Sequence, residues 1–304
     1  MCLRDVCFLR MNIGTIEAAL GLLERDERCV VETNLAARTT ALDFISFAEE
    51  FIRVNRRGAD LTSLNHRLAA LKERLTAINT ELFGRLRTQI QEGQYTPASL
   101  RLEFDQYTDY SPEKKGMAHV GADALDTLLD GILDLHGHPE GIDPPYPDMV
   151  YYEPTPARAV LDMIDNVGLK RADVFYDLGS GLGRVAILFN LMSGVKAKGI
   201  EIVSTLCDVA RRYANRLGLA NVEFINADAR EADYSDGAAF FMFTPFKGAI
   251  FQMVLDRLRQ EGQKRLIKVC TYGACTQWAA VQSWLRSVDG NADDSFKAVI
   301  FHSN

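Results

Sequence analysis

The stretch Asp173-Val174-Phe175-Tyr176-Asp177-Leu178-Gly179-Ser180-Gly181-Leu182-Gly183-Arg184 decides how this chain folds. Val174, Phe175 and Tyr176 are β-branched or aromatic and read as a buried strand, which Asp177 closes. Gly179, Gly181 and Gly183 follow at alternate positions, and an apolar helical run from Val185 to Leu191 starts straight after. A strand, a glycine turn and a helix N-terminus make a nucleotide-binding corner. Glycine is needed in such a turn because a Cβ would block the tight bend and the close approach of a ligand to the backbone.

Downstream of this corner, strand-like and helix-like segments alternate. Strands are expected at 173–178, 196–201, 222–225, 238–244, 265–271 and 296–302, and helices near 183–193, 203–217, 247–260 and 275–286. That alternation implies an α/β fold, a doubly wound Rossmann-like parallel sheet with helices on both faces. Ligands of such sheets sit at the carboxyl ends of the strands, beside the first one. Just upstream, Thr155 is expected to cap a helix that has Pro156 at its first position and ends at Gly168.

The first part of the chain has a different texture. Residues 1 to about 58 read as helices: Ile16, Ala19, Leu20 and Leu23 share a face, and Leu42, Ile45, Phe47, Phe51 and Ile52 form a second apolar surface. Arg56-Arg57-Gly58 breaks the pattern. Leu61, Leu64, Leu68, Leu71, Leu75, Ile78 and Leu82 then alternate spacings of three and four, and Leu86 and Ile90 continue the helix. Packing against the other N-terminal helices is the preferred reading of that seam, with a homodimer through the 61–90 helix as the alternative. Short helices are expected over 98–106 and 121–135. The Gly- and Pro-rich stretch from Gly137 to Pro147 marks a junction. The expected organisation is an all-α N-terminal domain over 1–140, for substrate binding, as a lid or for dimerisation, and a catalytic domain over 141–304.

Composition narrows the partners. The chain has 304 residues, 47% hydrophobic and 25% charged, with a net charge of −7. No basic block or apolar run of membrane-spanning length occurs, so neither a nucleic-acid partner nor a membrane is expected. The N-terminus lacks the long apolar core of a secretion signal, and the six cysteines are scattered without a Cys-x-x-Cys pair, so a cytoplasmic protein with reduced thiols is expected. His136-x-His138 sits in a loop and the five histidines show no ligand spacing; no metal site is expected.

Polar residues recur at the expected strand ends: Asp177 with its glycines, Glu201, Asp228 and Thr244. A carboxylate only accepts hydrogen bonds, so Glu201 suits a pair of ribose hydroxyls and Asp228 the amino group of adenine. Two cofactors compete for the corner. Gly181-Leu182-Gly183-Arg184-Val185-Ala186 satisfies a permissive dinucleotide pattern, with Glu201 about 20 residues on. Asp177 argues against it, because a carboxylate before the turn repels a pyrophosphate yet suits a cation. S-adenosyl-L-methionine carries a sulfonium and an ammonium and no phosphate, and is the favoured cofactor.

Asp177-Leu178-Gly179-Ser180-Gly181-Leu182-Gly183, Gly199-Ile200-Glu201-Ile202 and Asn226-Ala227-Asp228-Ala229 resemble the first three motifs of class I S-adenosylmethionine-dependent methyltransferases, over about residues 150–302. The resemblance implies a seven-stranded sheet of that class and cofactor contacts at Asp177, Gly179, Ser180, Gly181, Gly183, Glu201, Ile202, Asp228 and Ala229. Val150-Tyr151-x-Glu153, a short helix and then Asp-Leu-Gly-Ser-Gly are similar to the disruptor-of-telomeric-silencing family, which methylates a histone lysine without a SET domain. That likeness implies that Glu153 meets the cofactor's amino group, with Thr155 adjacent and Tyr151 in a closing loop. The chain departs from this family after the fourth strand, where Thr244-Pro245-Phe246 replaces an Asn-rich segment, and it carries no basic tail. Thr244-Pro245-Phe246 resembles a reduced form of the Asn/Asp-Pro-Pro-aromatic loop of amino-methylating enzymes. It implies an acceptor and a carbonyl for a target N–H, and an aromatic face for the developing cation.

The expected activity is transfer of a methyl group to a nucleophile, foremost an amine on a protein or peptide. Tyr151, Thr244, Pro245 and Phe246 are the candidate catalytic residues. A small-metabolite methyltransferase is the first alternative; an NAD-dependent oxidoreductase and a non-catalytic scaffold follow.

Overall fold

The computed structural model describes residues 12–55, 61–108, 123–135, 146–288 and 295–304. The Arg56-Arg57-Gly58 break, His136-x-His138 and most of the expected junction lie outside them. Among the described residues no helix is long and apolar enough to cross a membrane.

The N-terminal half is helical, with α1 (Ile13–Leu23), a 3-10 turn (Glu27–Val30), α2 (Leu35–Asn55), α3 (Thr62–Gln91), α4 (Pro97–Asp105) and α5 (Ala124–Leu133). Caps set several boundaries. Asn12, Thr96 and Asp123 each accept the N–H of the residue three positions on, supplying an acceptor to the orphan donors of the first turn. The leucine seam of α3 is filled within the chain: Leu64, Leu68, Leu71, Leu75, Leu82 and Leu86 are all buried. One position departs from the expected register. Ile78 is half-buried and Asn79 faces inward. The cause is Arg38 of α2, fully buried, whose Nε donates to Asn79 Oδ1 at 2.7 Å while its terminal nitrogens reach the Val31 and Glu32 carbonyls. A buried guanidinium needs acceptors on all sides, and that need outweighs the burial of one isoleucine.

The second half begins with α6 (Ala157–Val167) and alternates through β1 (Val174–Leu178), α7 (Arg184–Ser193), β2 (Lys196–Glu201), α8 (Ser204–Arg216), β3 (Val222–Asn226), β4 (Ala239–Phe243), α9 (Gly248–Gly262), β5 (Lys268–Tyr272), α10 (Cys275–Ala280), β6 (Leu285–Ser287) and β7 (Val299–Ser303). The sheet order is β3-β2-β1-β4-β5-β7-β6. β1 to β5 run parallel, and β7 enters antiparallel between β5 and β6. This is the seven-stranded arrangement that the resemblance implies, and it qualifies the parallel reading of the alternation at β7 alone. It also corrects the expected 275–286 helix, which stops at Ala280 and gives way to the short strand β6. The order reverses between β1 and β4, so a crevice opens at their carboxyl ends.

The expected division near residue 140 is not a break in the core. One apolar cluster joins Leu82, Leu86, Leu100, Phe104 and the inward face of α5 to Phe175, Phe189 and Ile300. A separate cluster holds Ile16, Leu20, Ile45, Ile52, Leu68 and Leu75. Thus the outer helices form their own layer, while the C-terminal end of α3 with α4 and α5 packs on the sheet domain. Leu128, Leu129 and Ile132 of α5 are fully buried, each contributing on the order of 2 kcal/mol.

Polar contacts reinforce that seam. Asp126 of α5 accepts the Ala157 N–H at 2.7 Å and the Arg184 Nη2 at 2.6 Å on the same oxygen, while Arg158 pairs with Asp123 at 2.6 Å. The first helical N–H of α6 is therefore served by Asp126, not by Thr155, and Pro156 takes the cap position with no side-chain bond. Both partners of the Arg184–Asp126 pair are buried, and the half-exposed Asp130 lies 3.0 Å from Arg184 Nε, so removing Asp126 leaves a buried guanidinium with that solvent-facing carboxylate alone. Asp126→Ala is expected to lose roughly 3 kcal/mol in urea denaturation, and the Asp126→Ala/Arg184→Met double variant to recover most of it. A single-variant loss below about 1 kcal/mol would show the pair to be expendable.

Candidate functional site

The crevice predicted by the topology is a cleft of about 170 Å³. Asp177, Gly179, Ser180 and Gly181 enter it at the carboxyl end of β1, Glu201 and Val203 at that of β2, and Phe243, Thr244 and Pro245 at that of β4. Tyr151, Tyr152, Glu153 and Thr155 approach from the segment before α6, and Arg184 and Val185 from the start of α7. Residues up to 96 positions apart in sequence, Met149 and Pro245, thus meet because the parallel strands end at one level of the sheet.

Gly179 and Gly181 have φ of +78° and +52°, a region that side chains with a Cβ rarely adopt. A Cβ on Gly179 would come within 2.3 Å of Pro245, and one on Gly181 within 2.3 Å of the Tyr152 ring. The turn therefore admits the walls of the cleft as well as any ligand. Gly183, at φ +79°, is the cap residue of α7 and turns away from the cleft, where a Cβ would meet Phe224 and Ala210; in the first turn of that helix the Ala186 N–H is taken by the Asp177 carboxyl.

Glu201 ties this turn to the next strand end. One carboxylate oxygen accepts the Gly181 N–H at 2.8 Å and the other the Val203 N–H at 2.8 Å. Burial raises its pKa, and these backbone donors oppose the shift. Ile202 adds a third backbone donor, and a carboxylate with about four acceptor sites keeps capacity for a ligand hydroxyl. Asp177 is 3% exposed, and its Oδ2 is buried with no hydrogen-bond partner, as is Ser180 Oγ. Burial, and then the charge of Glu201, push the Asp177 carboxyl up to about 8. Unpartnered buried oxygens are rare; two at this turn form a cradle suited to a ligand that donates hydrogen bonds and carries positive charge.

A second, tighter cleft of about 20 Å³ adjoins the first and shares Met149, Gly179 and Glu201 with it. Ile202, Asp228, Ala229 and Phe246 line it. Phe246 is 2% exposed and its segment pairs with Met149. It thus belongs to this cleft and the core, not to the mouth of the first cleft where a methyl acceptor was expected to meet it. Asp228 is likewise committed in part: Arg230 Nη2 pairs with its Oδ2 at 2.5 Å, and the Arg230 N–H donates to Oδ1 at 2.8 Å. That guanidinium holds the Asp228 carboxyl below its ordinary range.

Thr244 has a left-handed backbone with φ +42°, a conformation costing about 1–3 kcal/mol in a residue other than glycine. It is held there by its N–H on Cys275 Sγ at 3.3 Å and by its hydroxyl, which donates to the Tyr272 carbonyl at 3.3 Å and accepts the Cys275 N–H at 3.2 Å. The Thr244 hydroxyl is therefore engaged inside the fold, and Phe243 supplies the aromatic lining at this wall, its ring T-shaped against Tyr272 at 4.9 Å. Tyr151 is 67% exposed at the mouth, and Glu153 is exposed beside it. Tyr152, Arg184 and Phe243 are among the lining residues that sequence reasoning missed. Only Tyr152 carried a local signal, as the neighbour of Tyr151 and Glu153.

Residues 144–237 match the family model described as histone methylation protein DOT1. No curated protein sequence matches the chain significantly. Among solved structures, an RNA methyltransferase from Salinibacter ruber in complex with S-adenosyl-L-homocysteine is 26% identical, with a TM-score of 0.38 over 50% of this chain and 92% of its own. A precorrin-6y C5,15-methyltransferase from Geobacter metallireducens is 16% identical, with a TM-score of 0.38 over 51% and 90%. The tRNA (uracil-54, C5)-methyltransferase of Pyrococcus abyssi, also with S-adenosyl-L-homocysteine, is 17% identical with a TM-score of 0.37 over 50% and 40%. The chain spans about half the length of three further structures.

A carboxyl that titrates near 8 in the fold and near 3.8 in the unfolded chain binds its proton more tightly when folded, so its contribution to stability is present at low pH and declines as pH rises between those values. Asp177→Asn removes that dependence. In urea denaturation the variant is expected to gain on the wild type progressively from pH 4 to pH 8; a difference independent of pH would refute the neutral resting state of Asp177.

Proposed function

We propose that this chain, a class I S-adenosylmethionine-dependent methyltransferase of DOT1-like type, methylates an amine on a protein or peptide. The observation that carries this reading is the exposed apolar rim of the first cleft. Tyr151 is 67% exposed and Val150 42%, side by side where the cleft meets solvent. Large exposed apolar side chains grouped at a cleft suit an acceptor big enough to cover them. The family match, to proteins described by histone methylation, supports a protein acceptor over a metabolite.

The residues fit the cofactor. Glu201, which lines both clefts, would take the ribose hydroxyls. Ile202 and Ala229 would hold the adenine in that pocket, and Asp228 would accept its amino group. Asp177, with its unpartnered Oδ2, and Glu153 at the rim would meet the cationic methionine end, with Thr155 alongside. The cofactor supplies an activated methyl on a sulfonium, so the protein's task is chiefly to align and to exclude water. Pro245 and the rigid backbone of Thr244 form the wall opposite the glycine turn, with Gly179 packed on Pro245. Phe243, Tyr151 and Tyr152 line the cleft and would offer aromatic rings to a developing ammonium. Tyr152 is no base, because burial pushes its hydroxyl far above its ordinary range.

Calorimetry with S-adenosyl-L-homocysteine is expected to show binding by the wild type and at least about ten-fold weaker binding by Glu201→Ala, which loses hydrogen bonds to a charged acceptor. Tight NADH binding in its place would remove the cofactor reading. A tritiated methyl donor added to lysate with the purified protein is expected to label protein; label confined to small molecules would overturn the acceptor class.

A further inference from the structure

The second cleft is too small for the group assigned to it. Its volume of about 20 Å³ accommodates a single water, not a purine. What narrows it is specific. Arg230 lies across Asp228, with Nε 3.0 and 3.1 Å from the two carboxylate oxygens and Nη2 2.5 Å from Oδ2. Its guanidinium also stacks over the Tyr146 ring at 4.9 Å. Tyr146 sits on the same segment as Met149, whose backbone bridges Phe246, and Asp148 accepts the Lys247 N–H at 2.7 Å. The 146–150 side of the cleft is thereby fastened to the loop after β4, while Asn226 Nδ2 donates to the Ile202 carbonyl at 2.9 Å and the Tyr234 hydroxyl to the Ala229 carbonyl at 2.6 Å. The side chain free to leave is Arg230, which is 24% exposed and belongs to a pair only two residues apart in sequence.

We infer that Arg230 is a specificity-determining residue of the cofactor site, competing with the adenine amino group for Asp228 and leaving the carboxylate when the base enters. The inference rests on placing adenine in this cleft. Asp228 cannot offer its best acceptor directions to the amino group and to a bidentate guanidinium at once. Binding therefore includes breaking a partly exposed ion pair, which lowers the apparent affinity by the strength of that pair.

The test is calorimetric titration of the full chain with S-adenosyl-L-homocysteine and with S-ribosylhomocysteine, which lacks the base. Arg230→Ala is expected to bind S-adenosyl-L-homocysteine about three-fold more tightly, the value of a modest ion pair, with the affinity for S-ribosylhomocysteine unchanged. Arg230→Gln, which keeps the bulk and loses the charge, is expected to tighten in the same direction. Unchanged or weaker binding of S-adenosyl-L-homocysteine overturns the competition, as does an equal change for both ligands, which would signal a general structural effect. Asp228→Ala separates the two levels of failure: it is expected to weaken S-adenosyl-L-homocysteine and spare S-ribosylhomocysteine. If it does neither, the base lies elsewhere and the placement itself fails; if it does both while Arg230→Ala changes nothing, only the competition fails.

Discussion

The structure turns on the Glu201 carboxylate. Its two oxygens hold the Gly181 N–H from the turn after β1 and the Val203 N–H from the turn after β2, so two strand ends share one anchor. Burying an ionisable group is costly unless donors surround it, and here the donors are the backbone of the cleft itself. The same bonds that offset the burial of the charge also fix the glycine turn, which places Gly179 against Pro245 and Gly181 against Tyr152. Satisfying one polar side chain and shaping the cleft are a single event.

The helical half is bound to this arrangement through α5. Asp126 serves both the first helical N–H of α6 and the Arg184 side chain at the start of α7, and Arg184 also donates to the Thr155 carbonyl at 3.2 Å. Two helix starts that border the cleft are therefore held by a carboxylate from the N-terminal half. The apolar cluster running from Leu82 through α5 to Phe175 makes the same connection without charge. The inner helices are a wall of the catalytic body, and only the layer of α1, α2 and the first part of α3 has a core of its own.

Much of this was legible in the sequence where the signal is local. The run Val174-Phe175-Tyr176, the alternating glycines and the apolar α7 lie within a few residues of each other, so strand, turn and helix could be read directly, and the heptad leucines of α3 likewise. Failures came where distant residues decide. Asn79 displaces Ile78 from the seam because of Arg38, 41 positions away. Thr155 looks like a helix cap, yet Asp126, 31 positions upstream of the Ala157 N–H that it accepts, takes that role. β6 is three residues long and follows a helical stretch, and only its pairing with β7 makes it a strand. Phe246 reads as an acceptor-site aromatic by its position after a proline, but pairing with Met149 turns its segment toward the core. No local pattern announces Arg184 as a buried partner of Asp126, since 58 residues separate them.

The backbone of Thr244 has a consequence for how the cleft meets its visitors. A threonine held left-handed, followed by proline and tied through both its N–H and its hydroxyl to the start of α10, sits in a narrow well with no neighbouring conformation to slide into. This wall therefore does not mould itself to what enters. Adaptation is left to the opposite rim, where Tyr151 stands exposed, so one side of the cleft acts as a template and the other as a glove.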